Sequence, residues 1–490
     1  MSSRIMKCVC FVLFVQVVLL VGLPAPAVAA EMKAGVAKAI ITNDKPLVMV
    51  NGRVSQGKLV DIYARALVLN DGAGRLVILT YDLNCLDVAT PILRKMVRDE
   101  LKIDPSRLIL LATHNHNAPI QINPDNFEYG RWLAKRMFEL IKEAIANEKG
   151  PVKLLFGYGP GYFITSSGSV PTDYEIQLLK VVQGDRTVAM LFNHGTHPVQ
   201  ASYAKIDAGH PGYAMSEIEA AIPGVQAMYA DACGGNQFPA ARSELTEKLR
   251  AARGADPAAA EALMERAAKD YGHVLAEAVL KISRGELQDV TGPIKSKMET
   301  FSLPLAPPIS KDEALELAKK FPPDAGFVYY PNANRSTNWV RMLLRYYEKG
   351  LPFPTKTTDM ICTDDTYFIS KSDTEFLEKY KYSINPDGPC IYNYVTVCQI
   401  GPMPFVAMQG EVCAPIGARI KDAFRRDRPI MVFGYFGEHN LYIPTRELVR
   451  RKAYQGIVIQ IQYASPVGWA PEVEDETVNG VIRMVKSIIE

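Results

Sequence analysis

Apolar runs in this chain repeatedly end in residues that bind metals or move protons. VILTYD ends in Asp82, LILLATHNH in His114 and His116, VAMLFNHGTH in His194 and His197, AMYADACGGN in Asp231 and Asn236, and PFVAMQGE in Glu411. Five of the seven histidines fall between positions 114 and 210 of the 490 residues. In extended backbone, residues two apart face the same side, so His114 and His116 can look into one pocket, one as ligand and the other as proton carrier. A lone HxH is more often a turn histidine bonded to backbone, and the HxxH of His194 and His197 is no stronger alone. Two such motifs, each behind a buried strand, favour a metal. Neutral imidazole beside carboxylate suits zinc better than magnesium or calcium, which prefer oxygen throughout. Glu411, carried by Gly410 directly behind an apolar strand, is a natural carboxylate donor.

These residues are far apart in sequence, so the fold must bring them together. From Lys58 to His210, strand-length apolar runs alternate with amphipathic helical stretches: RLVILTYD, a helix around Pro91 to Leu101, RLILLATHNH, and a helix around Tyr129 to Glu148. VKLLFGYG follows, and then two strands joined at Gly184-Asp185, which read as antiparallel neighbours. This pattern predicts an α/β fold in which a mixed β-sheet core is flanked by helices and the metal site lies at the C-terminal ends of strands. Ser243 to Arg284 reads as helical, with Asp256 as cap, Pro257 in the first turn, Gly285 as stop, and a core stripe of Leu263, Ala267, Tyr271, Leu275 and Val279. Ser310 and Glu313 form a capping box for another helix that ends before Pro322. Residues of about 243–325 are thus expected to be a helical insertion. Those of about 325–390, rich in Tyr, Asn and Pro with one helix near Trp339 to Lys349, are expected to be an irregular one. Strands resume in YNYVTVCQIG, MPFVAMQGE and IMVFGYFG, and a helix from about Glu472 to Ile489 closes the chain.

Arg4 and Lys7, the apolar run Cys8 to Leu23 and the small residues Ala27-Val28-Ala29 have the order of a secretory signal peptide over residues 1–30, implying a periplasmic or secreted protein. Without that segment 53 basic residues face 53 acidic ones. Zero net charge provides no electrostatic footprint for nucleic acid, and the sequence after residue 30 suggests no membrane span, so a small-molecule or lipid substrate is favoured. Nothing in the sequence specifies an oligomeric state. The six cysteines beyond the leader include no CxxC pair, which argues against a cysteine-built metal site. Cys362 and Cys390 bracket a stretch that a disulfide could staple.

The chain resembles, distantly, the neutral/alkaline, non-lysosomal ceramidases from Ala34 to its end. The elements AGVAKAIIT, DIYARALVLNDG, LVILTYDLN, ATHNHNAP, LFNHGTHP, HPGYAMSEIE, FVAMQGE, GYFGEHNLYIPTRE and AYQG carry the resemblance, with ATHNHNAP the most specific. The resemblance implies one catalytic domain over residues 31–490 without the C-terminal immunoglobulin-like domain of longer ceramidases. It also implies one zinc ion held by His114, His197, Glu411 and Tyr442, with His116 handling protons and Tyr454 stabilising the oxyanion. The implied reaction is hydrolysis of an acyl amide by metal-activated water, without a covalent intermediate. Two elements depart from the family pattern. Where ceramidases carry Gly-Asp-Val-Ser-Pro-Asn, this chain has Gly235-Asn236-Gln237-Phe238-Pro239-Ala240, and the family's Asn-Arg element is replaced at about Thr165 to Gly168. Two other readings stay open on the sequence: a metal-dependent esterase or deacetylase acting on lipid or carbohydrate, and a zinc-stabilised binding protein without activity.

Overall fold

The most apolar runs become the most deeply covered strands. A computed structural model describes residues 31–490 apart from 122, 199–203, 241–246, 249–250, 252–255, 320–338, 351–389, 438–441 and 462–466. Residues 31–490 cluster as one unit. The leader reading and the Cys362–Cys390 pairing fall outside the described residues, as does most of the stretch expected to be an irregular insertion. Cys85, Cys233, Cys398 and Cys413 are buried as thiols. Among the described residues no helix is long and apolar enough to cross a membrane.

A first sheet has the order β1 (Lys33–Ile40), β2 (Tyr63–Asn70), β3 (Arg75–Tyr81), β4 (Leu108–Ala112), antiparallel except for the parallel pair β3–β4. The crossover between β3 and β4 contains α1 (Ala89–Leu101), as a parallel pair requires. The next helix, α2 (Phe127–Ala146), packs on β1 so closely that a Cβ on Gly35 would stand 2.0 Å from the Ala144 carbonyl oxygen. Only glycine lets the two backbones approach this far.

The second sheet is built on β5 (Lys153–Pro160), β7 (Glu175–Gln183), β8 (Arg186–His194) and β9 (Gln226–Asp231), with β11 (Gln288–Asp289) at its edge beside β5. β7 and β8 are antiparallel around Gly184, whose φ of +57° suits glycine at a tight turn. β8 and β9 are parallel and joined through α3 (Gly209–Ala221). The long helix α4 (Pro257–Arg284) begins at Asp256, whose side chain accepts from Ala258 N, and stops at Gly285, as expected. Its core stripe differs in the first half: Ala260, Met264 and Ala268 are buried, whereas Leu263, Ala267 and Tyr271 are half-buried beside them. An alanine-rich turn gives the sequence pattern little phase, so packing against neighbouring helices decides the rotation.

The third sheet runs β12 (Ile294–Pro304), β13 (Cys390–Ile400), β14 (Met403–Met408), β16 (Met431–Phe433), the last pair parallel. β12 therefore corrects the expectation of a helical insertion over about 243–325. Ile294, Met298, Phe301 and Leu303 are core residues of a strand that pairs with β13 along its whole length. The helices α5 (Lys311–Ala318) and α6 (Trp339–Lys349) pack on each other, α5 capped by Ser310 Oγ accepting from Glu313 N. Two short ribbons complete the site's frame: β6 (Ile164–Ser166) antiparallel to β10 (Gln237–Pro239), and β15 (Glu411–Val412) parallel to β17 (Tyr442–Ile443). The chain then runs through α7 (Ala414–Asp422), α8 (Arg446–Arg450), α9 (Tyr454–Ile461) and the closing helix α10 (Val473–Ile489). The α/β class with mixed sheets flanked by helices is thus as expected, but three sheets share the core where the strand pattern suggested one.

Candidate metal centre

Each sheet contributes one parallel strand pair, and parallel strands end on the same side. Beyond those ends lie the residues singled out above: His114 two positions after β4, His197 three after β8, and Glu411 three after β14. Tyr442 arrives through the β15–β17 ribbon, where it is the register partner of Glu411. The sheets are tied together here. Ala112 N donates to Tyr435 O (3.2 Å) and Gly437 N to Leu110 O (2.8 Å), joining the first sheet to the loop that follows β16.

His114, His116 and His197 form a cluster able to hold a metal ion, with one nitrogen of each within 4.8 Å of the others. His114 Nε2 lies 3.0 Å from His116 Nε2 and 3.2 Å from Glu411 Oε2. His197 Nε2 lies 3.2 Å from that same Glu411 oxygen and 3.0 Å from Tyr442 Oη. Three imidazole nitrogens, a carboxylate oxygen and a phenol oxygen thus converge in a buried space. This mixed nitrogen and oxygen set fits zinc and not an all-oxygen cation.

The surroundings aim these groups. His197 Nδ1 faces the carbonyl oxygens of Gly234 (3.2 Å) and Gln237 (3.3 Å), which only accept, so Nδ1 carries the proton and Nε2 presents its lone pair. The backbone of His197 is held by its own N–H donating to Gln237 O (3.0 Å), and that of Thr196 by Asp231 Oδ1 (3.0 Å). His114 has φ +55°, an uncommon conformation for a side-chain-bearing residue, and its ring packs 4.3 Å from that of Tyr435. Burial by itself would raise the Glu411 carboxyl, but without a metal the protonated rings of His114 and His197 outweigh it through their charge and hydrogen bonds and hold the group well below its usual range. Burial pushes the Tyr442 phenol well up, and the Glu411 charge adds to that.

Other strand-end residues stay out of the cluster. Asp82 is buried and paired with Arg65, whose Nη1 lies 3.0 Å from both carboxylate oxygens. Asp231 accepts from Thr196 N and from Tyr229 Oη (3.3 Å). His194 packs its ring edge-on to Phe163, and His210 lies under α4 near Tyr271; burial lowers the first to about 4 and the second to about 3. Asn236 Oδ1 accepts from Ala414 N (2.8 Å) and so anchors α7. These groups position the loops that carry the cluster.

The two departures from the ceramidase pattern turn out to be neighbours: Phe238 of β10 is the direct cross-strand partner of Thr165 of β6. The Phe238 ring lies 4.9 Å from that of His197. Ser167 N donates to Asn236 O, and Gln455 Nε2 donates to Ser167 Oγ (2.9 Å), linking this ribbon to the first turn of α9. Tyr454, at the start of α9, is 46% exposed and meets the Tyr442 ring at 5.9 Å, so it stands at the mouth of the site. Sequence reasoning missed two members of this assembly, Asn84 and Tyr435. Asn84 had a usable signal, a polar residue just beyond an apolar strand end; Tyr435 had none, because it sits in a loop whose path depends on three sheets.

No protein-family model matches the chain, and no curated protein matches its sequence. Solved structures do. A neutral ceramidase from Pseudomonas aeruginosa superposes with TM-score 0.65 at 17% identity, covering 94% of this chain and 75% of that one. A ceramidase complexed with C2 gives TM-score 0.63 at 16% identity, over 94% of this chain and 76% of that one. The chain therefore has the fold of the neutral ceramidases.

Proposed function

We propose that this protein is an exported, zinc-dependent hydrolase that cleaves an acyl amide bond of a ceramide-like substrate, with His114, His197, Glu411 and Tyr442 as metal ligands. The observation that carries the reading is the convergence of these four side chains with His116 at the ends of parallel strands, in a fold shared with neutral ceramidases. Zinc, when bound, acidifies water and polarises a carbonyl oxygen.

The chain's own residues supply the rest. The carbonyls of Gly234 and Gln237 keep the His197 lone pair on Nε2, and Glu411 stays ionised between two imidazoles. His116, half-buried beside His114, takes the proton from the attacking water and delivers it to the leaving amine, because it touches the cluster and also faces the opening. The Tyr454 hydroxyl, at the mouth, donates a hydrogen bond to the oxyanion as it forms. Among the described residues, a hollow of about 860 Å³ lined by Phe163, Leu263, Ala267, Tyr271 and Val274 lies along α4. Phe163 directly precedes β6, and Ala240 N donates to Phe163 O, so this pair extends the ribbon that carries Phe238. This hollow at the far end of the ribbon beside His197, mostly apolar with Lys248, Arg266 and Asp270 also in its lining, supports an acyl chain in the substrate.

The experiment is turnover on a panel of N-acyl amides and esters of graded chain length. Amide hydrolysis that is lost in His197→Ala supports the reading. Ester hydrolysis alone points to an esterase, and a zinc-loaded protein inert on the whole panel points to a binding protein.

A further inference from the structure

We propose that Asn84 is a positioning residue that selects the metal-binding tautomer of His114. The proposal rests on the metal reading above and concerns a side chain outside the ligand set.

The loop after β3 and the loop after β4 are zipped together. Thr113 N donates to Tyr81 O (3.1 Å), Asn115 N to Leu83 O (3.1 Å), and Asn115 Nδ2 to Asp82 O (3.1 Å). This ladder holds His114 at φ +55° and brings the buried Asn84 carboxamide against its ring, with Nδ2 placed 3.1 Å from His114 Nδ1 and Oδ1 placed 3.4 Å from Cys85 Sγ. For His197 the choice of tautomer is already made, since its Nδ1 meets carbonyl oxygens. His114 Nδ1 meets a carboxamide, which presents either an acceptor or a donor after a half-turn about its last bond.

His114 Nε2 is the nitrogen aimed at Glu411 and His116. For it to offer a lone pair there, Nδ1 must carry the proton, and that N–H needs an acceptor, which is Asn84 Oδ1. This requires the carboxamide turned by half a turn from the placement above, which brings Nδ2 to the position now held by Oδ1, 3.4 Å from Cys85 Sγ. The Cys85 thiol donates to Asp87 Oδ2 (3.0 Å), so its sulfur lone pairs can receive Asn84 Nδ2–H. Both ends of the amide are satisfied in this orientation. In the opposite one Nδ2 donates to Nδ1, the proton sits on Nε2, and that atom cannot bind a metal.

The test compares wild type, Asn84→Ala and Asn84→Asp by competitive zinc titration against a chelator, with thermal unfolding of the metal-free proteins as a stability control. The alanine variant is expected to bind zinc about 10- to 100-fold more weakly. The aspartate variant, which keeps an acceptor oxygen in place, is expected to regain most of the affinity whatever the change in unfolding temperature. A merely structural role would lower both variants together. In zinc-loaded wild type, histidine 15N spectra are expected to show His114 protonated at Nδ1. His114 bound through Nδ1, or zinc held equally tightly by wild type and Asn84→Ala, overturns the assignment alone. Wild-type protein that binds no zinc overturns the metal reading and the assignment with it.

Discussion

Gly235 is the position at which a single methyl group should disturb the proposed metal centre most. A Cβ there would stand 2.4 Å from the carbonyl oxygen of Glu411, 3.0 Å from its carbonyl carbon and 3.2 Å from that of Val412. All three are backbone atoms, so no side chain can swing away. Restoring ordinary contact moves the Glu411 peptide by about 1 Å. That peptide is fixed on both sides, because Gly235 N donates to Val412 O (3.0 Å) and Glu411 pairs in register with Tyr442. The shift therefore passes to two of the proposed ligands at once. The φ of Gly235 is not left-handed, so the contact is the whole effect. Overpacking of this kind costs about 1–3 kcal/mol of stability, and we expect zinc affinity to fall by at least about tenfold, as in sites whose supporting contacts are broken. Gly285→Ala is the control: its nearest atom would be 3.4 Å away, and its cost should stay within about 0.5 kcal/mol. Metal titration and chemical denaturation of both variants are the assays. A Gly235→Ala protein with wild-type zinc affinity would refute the claim that this contact fixes Glu411.

Two further outcomes are expected. His194 and His210 are held by burial at about 4 and about 3, below the 6.5 of the unfolded chain, so unfolded protein takes up protons first. Stability is then complete above pH 6.5 and falls as pH drops toward 4. Each tenfold loss of proton affinity on folding corresponds to about 1.4 kcal/mol, so the two histidines together account for several kcal/mol. Urea midpoints measured from pH 6.5 down to about 4.5, above the titration of ordinary carboxylates, check this, and a flat profile there contradicts it. Arg65→Met should cost about 3–5 kcal/mol because it strands the Asp82 charge in the core. The double change Arg65→Met with Asp82→Asn should recover most of that loss, and equal instability of single and double variants would argue against the pairing as its source.

How far the sequence could be read depended on the range of the interactions involved. His114, His116 and His197 were legible because each follows an apolar run whose covered strand has to end somewhere, and a strand end in an α/β fold is where ligands gather. Helix caps at Asp256 and Ser310 were legible because they are local chemistry. β12 was missed because Lys295, Lys297 and Glu299 break up its apolar residues, and only pairing with a strand almost a hundred residues downstream makes it part of a sheet. Tyr442 carries no signal of its own, since it lies on a two-residue strand that exists through its pairing with Glu411. The left-handed backbone of His114 and the carboxamide of Asn84 behind it belong to two loops zipped together across 30 residues, which periodicity does not encode. That Phe238 and Thr165 form one wall beside His197 likewise emerges only from the β6–β10 register.

On the proposed reading, the clustered side chains hold one zinc ion on which turnover depends. The most direct measurement is metal content and activity followed through one cycle: protein as purified, after chelation, and after zinc is added back, with His114→Ala and His197→Ala alongside. The expected result is about one zinc per chain, hydrolysis of an N-acyl amide that disappears on chelation and returns with zinc, and neither metal nor activity in the two variants. Full activity in chelated, zinc-free protein, or unchanged zinc content in both variants, would contradict it.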